Sequence, residues 1–159
     1  MTALVRAATA ADAESLLALV DALADYEKLP RPEAAARARI VEDAFGARRR
    51  VEVLLALDAS RPVGYALFFE TYSSFLALPT MYLEDLFVHP DARGARHGYR
   101  LFQSVAAIAV ERGCGRMEWN VLKWNRLARD FYERLDAEPL DDWQMYRLEG
   151  ERLQRAAGA

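Results

Sequence analysis

Two acidic residues, Glu84 and Asp85, stand side by side in the otherwise apolar run MYLEDLFV. Carboxylates in such a setting can take a proton from a reacting group or hold a cationic amine. In a regular strand adjacent side chains leave on opposite faces, so at least one of the two is expected to point at something other than bulk water. The run leads directly into HPDARGARHGYRLFQ, residues 89–103, a short loop with two glycines that opens a periodic segment. A strand, a glycine loop and a helix N-terminus together suit an anion, because the first turn presents unpaired N–H groups and partial positive charge. RGARHG lacks the Gly-Lys-Ser/Thr of a nucleotide-binding P-loop, and its spacing does not fit the dinucleotide fingerprint. By itself it reads equally well as a surface turn. Further along, Asn125 and Tyr132 lie seven residues apart, two helical turns, which brings them to one face. A tyrosine there is either a packed aromatic or a proton donor.

The elements that must position these residues follow from hydrophobic periodicity. ALVRAAT is a short strand candidate, and Thr9 is placed to cap the helix ADAESLLALVDALADYEKL, whose Leu16, Leu17, Val20, Leu23 and Ala24 form one stripe. Pro30 and Pro32 end it, and RPEAAARARIVEDAF reads as a second helix. VEVLLAL and VGYALFF, separated by DASRP, predict a hairpin. YSSFLALPT reads as a loop, MYLEDLFV as a strand, and HGYRLFQSVAAIAVERG as a helix closed by glycines. RMEWNVL (strand), NRLARDFYERLDA (short helix) and WQMYRLEG (final strand) complete the chain. The unit 81–88, 96–112, 116–122 has the length of a right-handed parallel crossover. The fold class is therefore α/β, with a mixed, mostly antiparallel sheet, a central parallel βαβ unit and helices on both faces.

Bulk properties narrow the functions. The 159 residues suit one domain, 1–159, and 53% hydrophobic content supplies a sizeable core. A net charge of −3 argues against nucleic acid as a partner and is compatible with a cationic substrate. The sole cysteine, Cys114, reads as a small buried apolar residue; it leaves no internal disulfide and no zinc cluster, which suits the cytoplasm. Neither a signal peptide nor a membrane span is evident. Trp119, Trp124 and Trp143 read as core or rim aromatics. No nucleophile–base pair or phosphate lysine points to hydrolysis or phosphotransfer.

With these pieces in line, the chain resembles the GNAT N-acetyltransferases, and among them the diamine (spermidine/spermine) and thialysine acetyltransferases. The resemblance runs from about residue 4 to 153. Its markers are YLEDLFV followed by an Arg-Gly loop, and WN followed by FY six residues after the Asn. It implies direct transfer of an acetyl group from acetyl-CoA to an amine within a ternary complex, without a metal or an acyl-enzyme. It further implies that backbone groups at Phe87 and Val88 engage the acetyl and pantetheine portion. Arg93, Gly94, Ala95, Arg96, His97, Gly98 and Tyr99 would hold the pyrophosphate, with Asn125 nearby. Tyr132 would protonate the departing thiolate, and Glu84 would act as base through water. Tyr26, Glu27, Asp85 and Trp143 would lie near the amine, and the chain would form a homodimer through its C-terminal part.

Two positions depart from the family pattern. Arg96 stands where the loop usually has its first central glycine; if positive φ is required there, Arg costs about 1–2 kcal/mol. A guanidinium on a phosphate returns about 1.5–3 kcal/mol, so the balance is open on energetics. Asp136 replaces a glycine after FY and sits poorly against a helix C-terminus. These two residues are the support for an alternative reading, a degenerate member that binds CoA weakly and serves as an interaction module. His97 is expected to face solvent.

Overall fold

The computed structural model describes residues 4–158. Their contacts cluster into two compact units, one ending at Asn120 and the other beginning at Val121; each is described by itself.

The first unit is a five-stranded sheet in the order β1 (Leu4–Ala7), β2 (Glu52–Asp58), β3 (Arg61–Ser73), β4 (Leu78–Val88) and β5 (Arg116–Glu118). The first three pairings are antiparallel and β4–β5 is parallel, as the crossover length predicts. On one face lie α1 (Ala13–Glu27) and α2 (Ala34–Phe45), whose Leu16, Leu19 and Ala44 pack with Val53, Leu55, Leu57, Tyr65, Leu67 and Phe87. On the other lies α3 (His97–Glu111), with Leu101, Val105 and Ala109 against Leu54, Ala56, Ala66, Phe68, Met81 and Leu83. Each helix buries one stripe, the consequence of its i, i+3/i+4 spacing. Thr9 precedes a 3₁₀ turn, Ala10–Asp12, whose Asp12 carboxylate accepts from the Thr9 N–H at 2.8 Å and is clamped by Arg6. Gly64, paired with Val88, stands where a Cβ would lie 2.6 Å from the Phe87 carbonyl oxygen. Only glycine lets β3 and β4 approach at that rung.

Two expectations change here. YSSFLALPT is a loop only over residues 74–77: β3 continues to Ser73 and β4 starts at Leu78, with Tyr72 opposite Pro79 and Thr71 opposite Thr80. Ser and Pro signal a turn, but cross-strand pairing prevails, and Pro79 lies next to the strand's start, where proline is tolerated. RMEWNVL shortens to the three residues of β5.

The second unit holds α4 (Arg126–Glu133) and α5 (Gly150–Ala156). WQMYRLEG forms no strand; Trp143, Met145, Tyr146 and Leu148 are exposed, and α5 was not evident in the pattern. An alternating segment becomes a strand only when a neighbouring strand takes its N–H and C=O groups. Trp124 is exposed as well, whereas Trp119 in the first unit packs edge-on against Phe102, 5.2 Å between centroids. Cys114 is half-buried rather than buried. Among the described residues no helix is long and apolar enough to cross a membrane.

Candidate active site

β4 positions the carboxylates through an irregularity that the sequence does not announce. Asp85 pairs with Leu67 and Leu83 with Phe68, so Glu84 is an extra residue opposite nothing, a β-bulge. Met81 and Leu83 face α3, whereas Phe87 faces α1 and α2. Asp85 joins Phe87 on that second face, where its Oδ2 accepts a hydrogen bond from the Tyr65 hydroxyl at 2.9 Å. The expected parting of Glu84 and Asp85 onto opposite faces therefore does not occur, because the inserted residue cancels one step of the alternation. Glu84 is exposed, yet its charge acts on both Asp85 and Tyr65.

Burial pushes the Asp85 carboxyl up to about 6; the Tyr65 hydrogen bond opposes that rise, and the charges of Glu84 and Glu27 add to it. Burial also raises Glu27, at the end of α1. Tyr65, fully buried, is held far above the ordinary phenol value by burial and by the neighbouring Asp85. It is a permanently protonated donor. None of the described groups that shift Asp85 or Glu27 is basic. Glu27 and Glu84 thus both act on Asp85 and disfavour its anion.

The Tyr26 ring packs on Phe87, centroids 6.4 Å apart, and the Arg93 guanidinium lies 4.9 Å from the Tyr26 centroid. Arg93 Nε donates to the Val88 carbonyl at 3.0 Å. One side chain of the glycine loop therefore touches both the end of β4 and the aromatic of α1. Phe87 contributes its ring to the core, opposite Tyr65, so its backbone is what a ligand would meet.

The loop into α3 turns through two left-handed residues. Gly94 has φ 87 and open space beside it, and Ala95 is exposed. Arg96 is the N-cap of α3 with φ 64 and ψ 16, the left-handed conformation. The position does demand what glycine gives freely. Arg96 is exposed and its guanidinium sits 4.9 Å from the ring centroid of Tyr99, half-buried one turn on. Gly98 lies close to Val88, with Cγ2 at 3.6 Å from where a Cβ would be. His97 does not face solvent: it is 3% exposed, and among the described residues its Nδ1 has no hydrogen-bond partner. As the first residue of α3 it occupies an inward position of the helical stripe, with Leu101 and Val105 on the turns that follow.

Past Tyr82, the last residue of β4 that pairs with β5, the strand runs on to Val88 with no described strand beyond it. A helix N-terminus and an unpaired strand edge thus adjoin. In the second unit Asn125 caps α4, its side-chain oxygen accepting from the Ala128 N–H at 3.2 Å. Tyr132 is half-buried on α4 beside Phe131, and Trp143 lies exposed in the irregular segment. A cavity of about 280 Å³ elsewhere in the first unit, lined by Arg49, Glu52, Phe68, Glu70 and Arg112, contains none of the expected site residues. Arg112 there is already paired with Glu52 and Glu70.

A family model, the acetyltransferase (GNAT) family, matches residues 16–137. The chain belongs to that family. The acetyltransferase is 33% identical over 166 residues to a thialysine N-epsilon-acetyltransferase of Bos taurus, covering 98% of this chain and 97% of the relative. It is 43% identical over 91 residues to an L-ornithine N5-acetyltransferase of Arabidopsis thaliana, covering 57% of this chain and 40% of that one. An integron cassette protein of V. cholerae has the same fold, with a TM-score of 0.83 over 100% of this chain and 99% of its own, at 24% identity. Acetyl-CoA is the co-substrate of the family, and the residues of the acetyltransferase fit it: the loop into α3 turns through left-handed Gly94 and Arg96, with open space beside Gly94 where a backbone can meet a phosphate. Tyr65 was missed in the sequence, where VGYALFF reads as uniform core; only the β3–β4 register shows its hydroxyl meeting Asp85.

Proposed function

We propose that this acetyltransferase moves the acetyl group of acetyl-CoA to a primary amine of a small molecule, a polyamine, a diamine or a thialysine-like amino acid, by direct attack in a ternary complex. The observation that carries this reading is the half-buried Asp85 carboxylate, held by the Tyr65 hydroxyl at 2.9 Å with Glu84 and Glu27 acting on it, on the stretch of β4 past Tyr82 where β5 no longer pairs with it. An amine arrives as a cation and is held best by carboxylates taken from water; it must then lose a proton before it can attack. Asp85 and Glu27 attract the ammonium group, with Tyr26 offering an aromatic face; Trp143 is a further amine-binding residue that the family resemblance would supply. Glu84, exposed at the bulge, takes the proton through water.

Acetyl-CoA, when bound, supplies the thioester. The loop Arg93 to Gly98, with Tyr99, would hold its pyrophosphate, and backbone groups of Phe87 and Val88 would engage its acetyl and pantetheine portion. In the second unit, the family resemblance would give Asn125 a part in holding the cofactor and Tyr132 the role of protonating the departing thiolate. The names of the Bos taurus and Arabidopsis thaliana relatives support an amino-acid side-chain amine. The exposed apolar segment around Trp143 and Tyr146 supports a homodimer; light scattering at micromolar concentration should give twice the chain mass, and a monomer mass removes that part.

The test is calorimetric titration with acetyl-CoA, then incubation with thialysine, ornithine, a diamine and spermidine, with acetylated product read by mass spectrometry. Micromolar binding and one acetylated amine are expected. Absent binding would favour the second reading, an interaction module with a decayed cofactor site, to which the left-handed Arg96 lends its one specific observation.

A further inference from the structure

We propose that Tyr65 is a positioning and specificity residue of the amine site: its buried hydroxyl fixes the Asp85 carboxylate so that Oδ1 is presented to the substrate's ammonium group. The proposal rests on the amine-acetyltransferase reading above and extends it to a residue outside the family motifs.

The geometry is specific. Tyr65 has no solvent exposure, is locked in the core beneath α1, and stands opposite Phe87 in the β3–β4 register. Asp85 stands opposite Leu67, one diagonal step away, and the 2.9 Å contact runs along that diagonal. A phenol has one proton to donate. Here it goes to Oδ2, so the carboxylate cannot rotate without stranding a buried hydroxyl. The charged groups acting on Asp85 are Glu84 on its own strand and Glu27 on α1, and both disfavour its anion. Tyr65 is the only described neighbour that favours it. The hydroxyl therefore serves twice, by aiming Asp85 and by keeping it charged while two other carboxylates stand close. A bound ammonium would then relieve the repulsion among all three. Neutral amine-like molecules gain nothing from this arrangement, which is the source of the specificity.

The experiment is Tyr65→Phe, measured in four ways: the Asp85 side-chain carbon titrated by NMR, kcat and KM for the amine across pH, acetyl-CoA affinity, and thermal unfolding. Losing a hydrogen bond to a charged acceptor in a buried site changes the ionisation equilibrium by roughly tenfold or more. The Asp85 titration midpoint should therefore rise by about one pH unit. KM for the amine should rise about tenfold at about pH 5 but only about twofold at neutral pH, because a midpoint moved up from about 6 by about one unit still leaves about half of Asp85 ionised there, while kcat and acetyl-CoA affinity stay within about twofold and higher pH restores KM. In an Asp85→Asn background Tyr65→Phe should leave KM unchanged, since no anion remains to be favoured. A Tyr65 that merely fills the core would lower the unfolding temperature and leave the Asp85 midpoint and pH profile where they were. That result overturns the proposal, as does an equal KM effect in the Asp85→Asn background. Failure of the natural protein to acetylate any amine would instead sink the parent reading, and the NMR midpoint would still report on the Tyr65–Asp85 contact.

Discussion

Asp85→Asn should make this protein more stable at neutral pH. A carboxyl displaced from its ordinary 3.8 to about 6 carries a penalty as an anion of about 3 kcal/mol, at 1.36 kcal/mol for each factor of ten in the ionisation equilibrium. Water reaches part of the half-buried side chain, so about 2 kcal/mol is the working value. The sign follows from linkage. The folded state raises the pKa, so it prefers the protonated acid; the penalty is absent below pH 3.8, develops as pH rises towards 6, and is complete above it. Asparagine has nearly the same shape and still accepts from Tyr65. Urea unfolding of both proteins at about pH 4 and about pH 8 isolates the titrating part, because packing differences cancel between the two conditions. The variant's advantage should grow by about 2 kcal/mol from the lower to the higher pH. An advantage of the same size at both, or a loss at the higher pH alone, would refute the idea that Asp85 is a destabilising anion held for binding. The same substitution should raise the amine KM, so stability and affinity are expected to move in opposite directions.

Other consequences are open to equally direct checks. Arg96→Gly removes a left-handed arginine and should stabilise the fold by about 1 kcal/mol, while acetyl-CoA binding by calorimetry should weaken about tenfold if the guanidinium holds a phosphate. Tighter binding by the glycine variant would show that Arg96 obstructs the site. His97→Leu should raise the unfolding free energy by about 1–2 kcal/mol, because a buried nitrogen without a partner is replaced by hydrocarbon; a loss of stability in urea would mean that Nδ1 has a partner in solution. Tyr132→Phe should lower kcat by about a hundredfold or more, as expected for a lost general acid, with acetyl-CoA affinity unchanged; undiminished turnover takes Tyr132 out of the mechanism.

How far the sequence reaches is best seen at particular residues. The α3 stripe, the crossover from β4 to β5 and the β2–β3 hairpin were legible because apolar period and chain length determine them locally. WQMYRLEG carries a strand-like pattern, yet whether it pairs depends on a neighbour that pattern does not encode. The turn signals around Ser73 and Pro79 misled because local preference yields to six unbroken rungs of pairing, from Phe68–Leu83 to Ser73–Leu78, between β3 and β4. At the site, Glu84 and Asp85 could be picked out by charge alone, and Arg96 by its departure from glycine; the structure then gave it φ 64, and gave Asp136 φ 59. Tyr65 could not be found, because its role is defined across two strands. His97 misled by type: a polar residue one step into a helix looks exposed until the stripe of α3 is traced back through Leu101.

The bulge at Glu84 sets the phase of a strand that has two allegiances. Ahead of it the odd-numbered positions 81 and 83 belong to the α3 core; beyond it the even-numbered 86 and 88 do, and 85 and 87 turn to the other side. Without the extra residue a single rhythm would run through the whole strand. Either Asp85 would be driven among Leu54, Phe68 and Val105, or Met81 and Leu83 would leave them. Position 84 therefore tolerates exchange far better than loss: its chemistry can be edited one atom at a time, whereas its presence is a condition for having an acid and a core on the same strand.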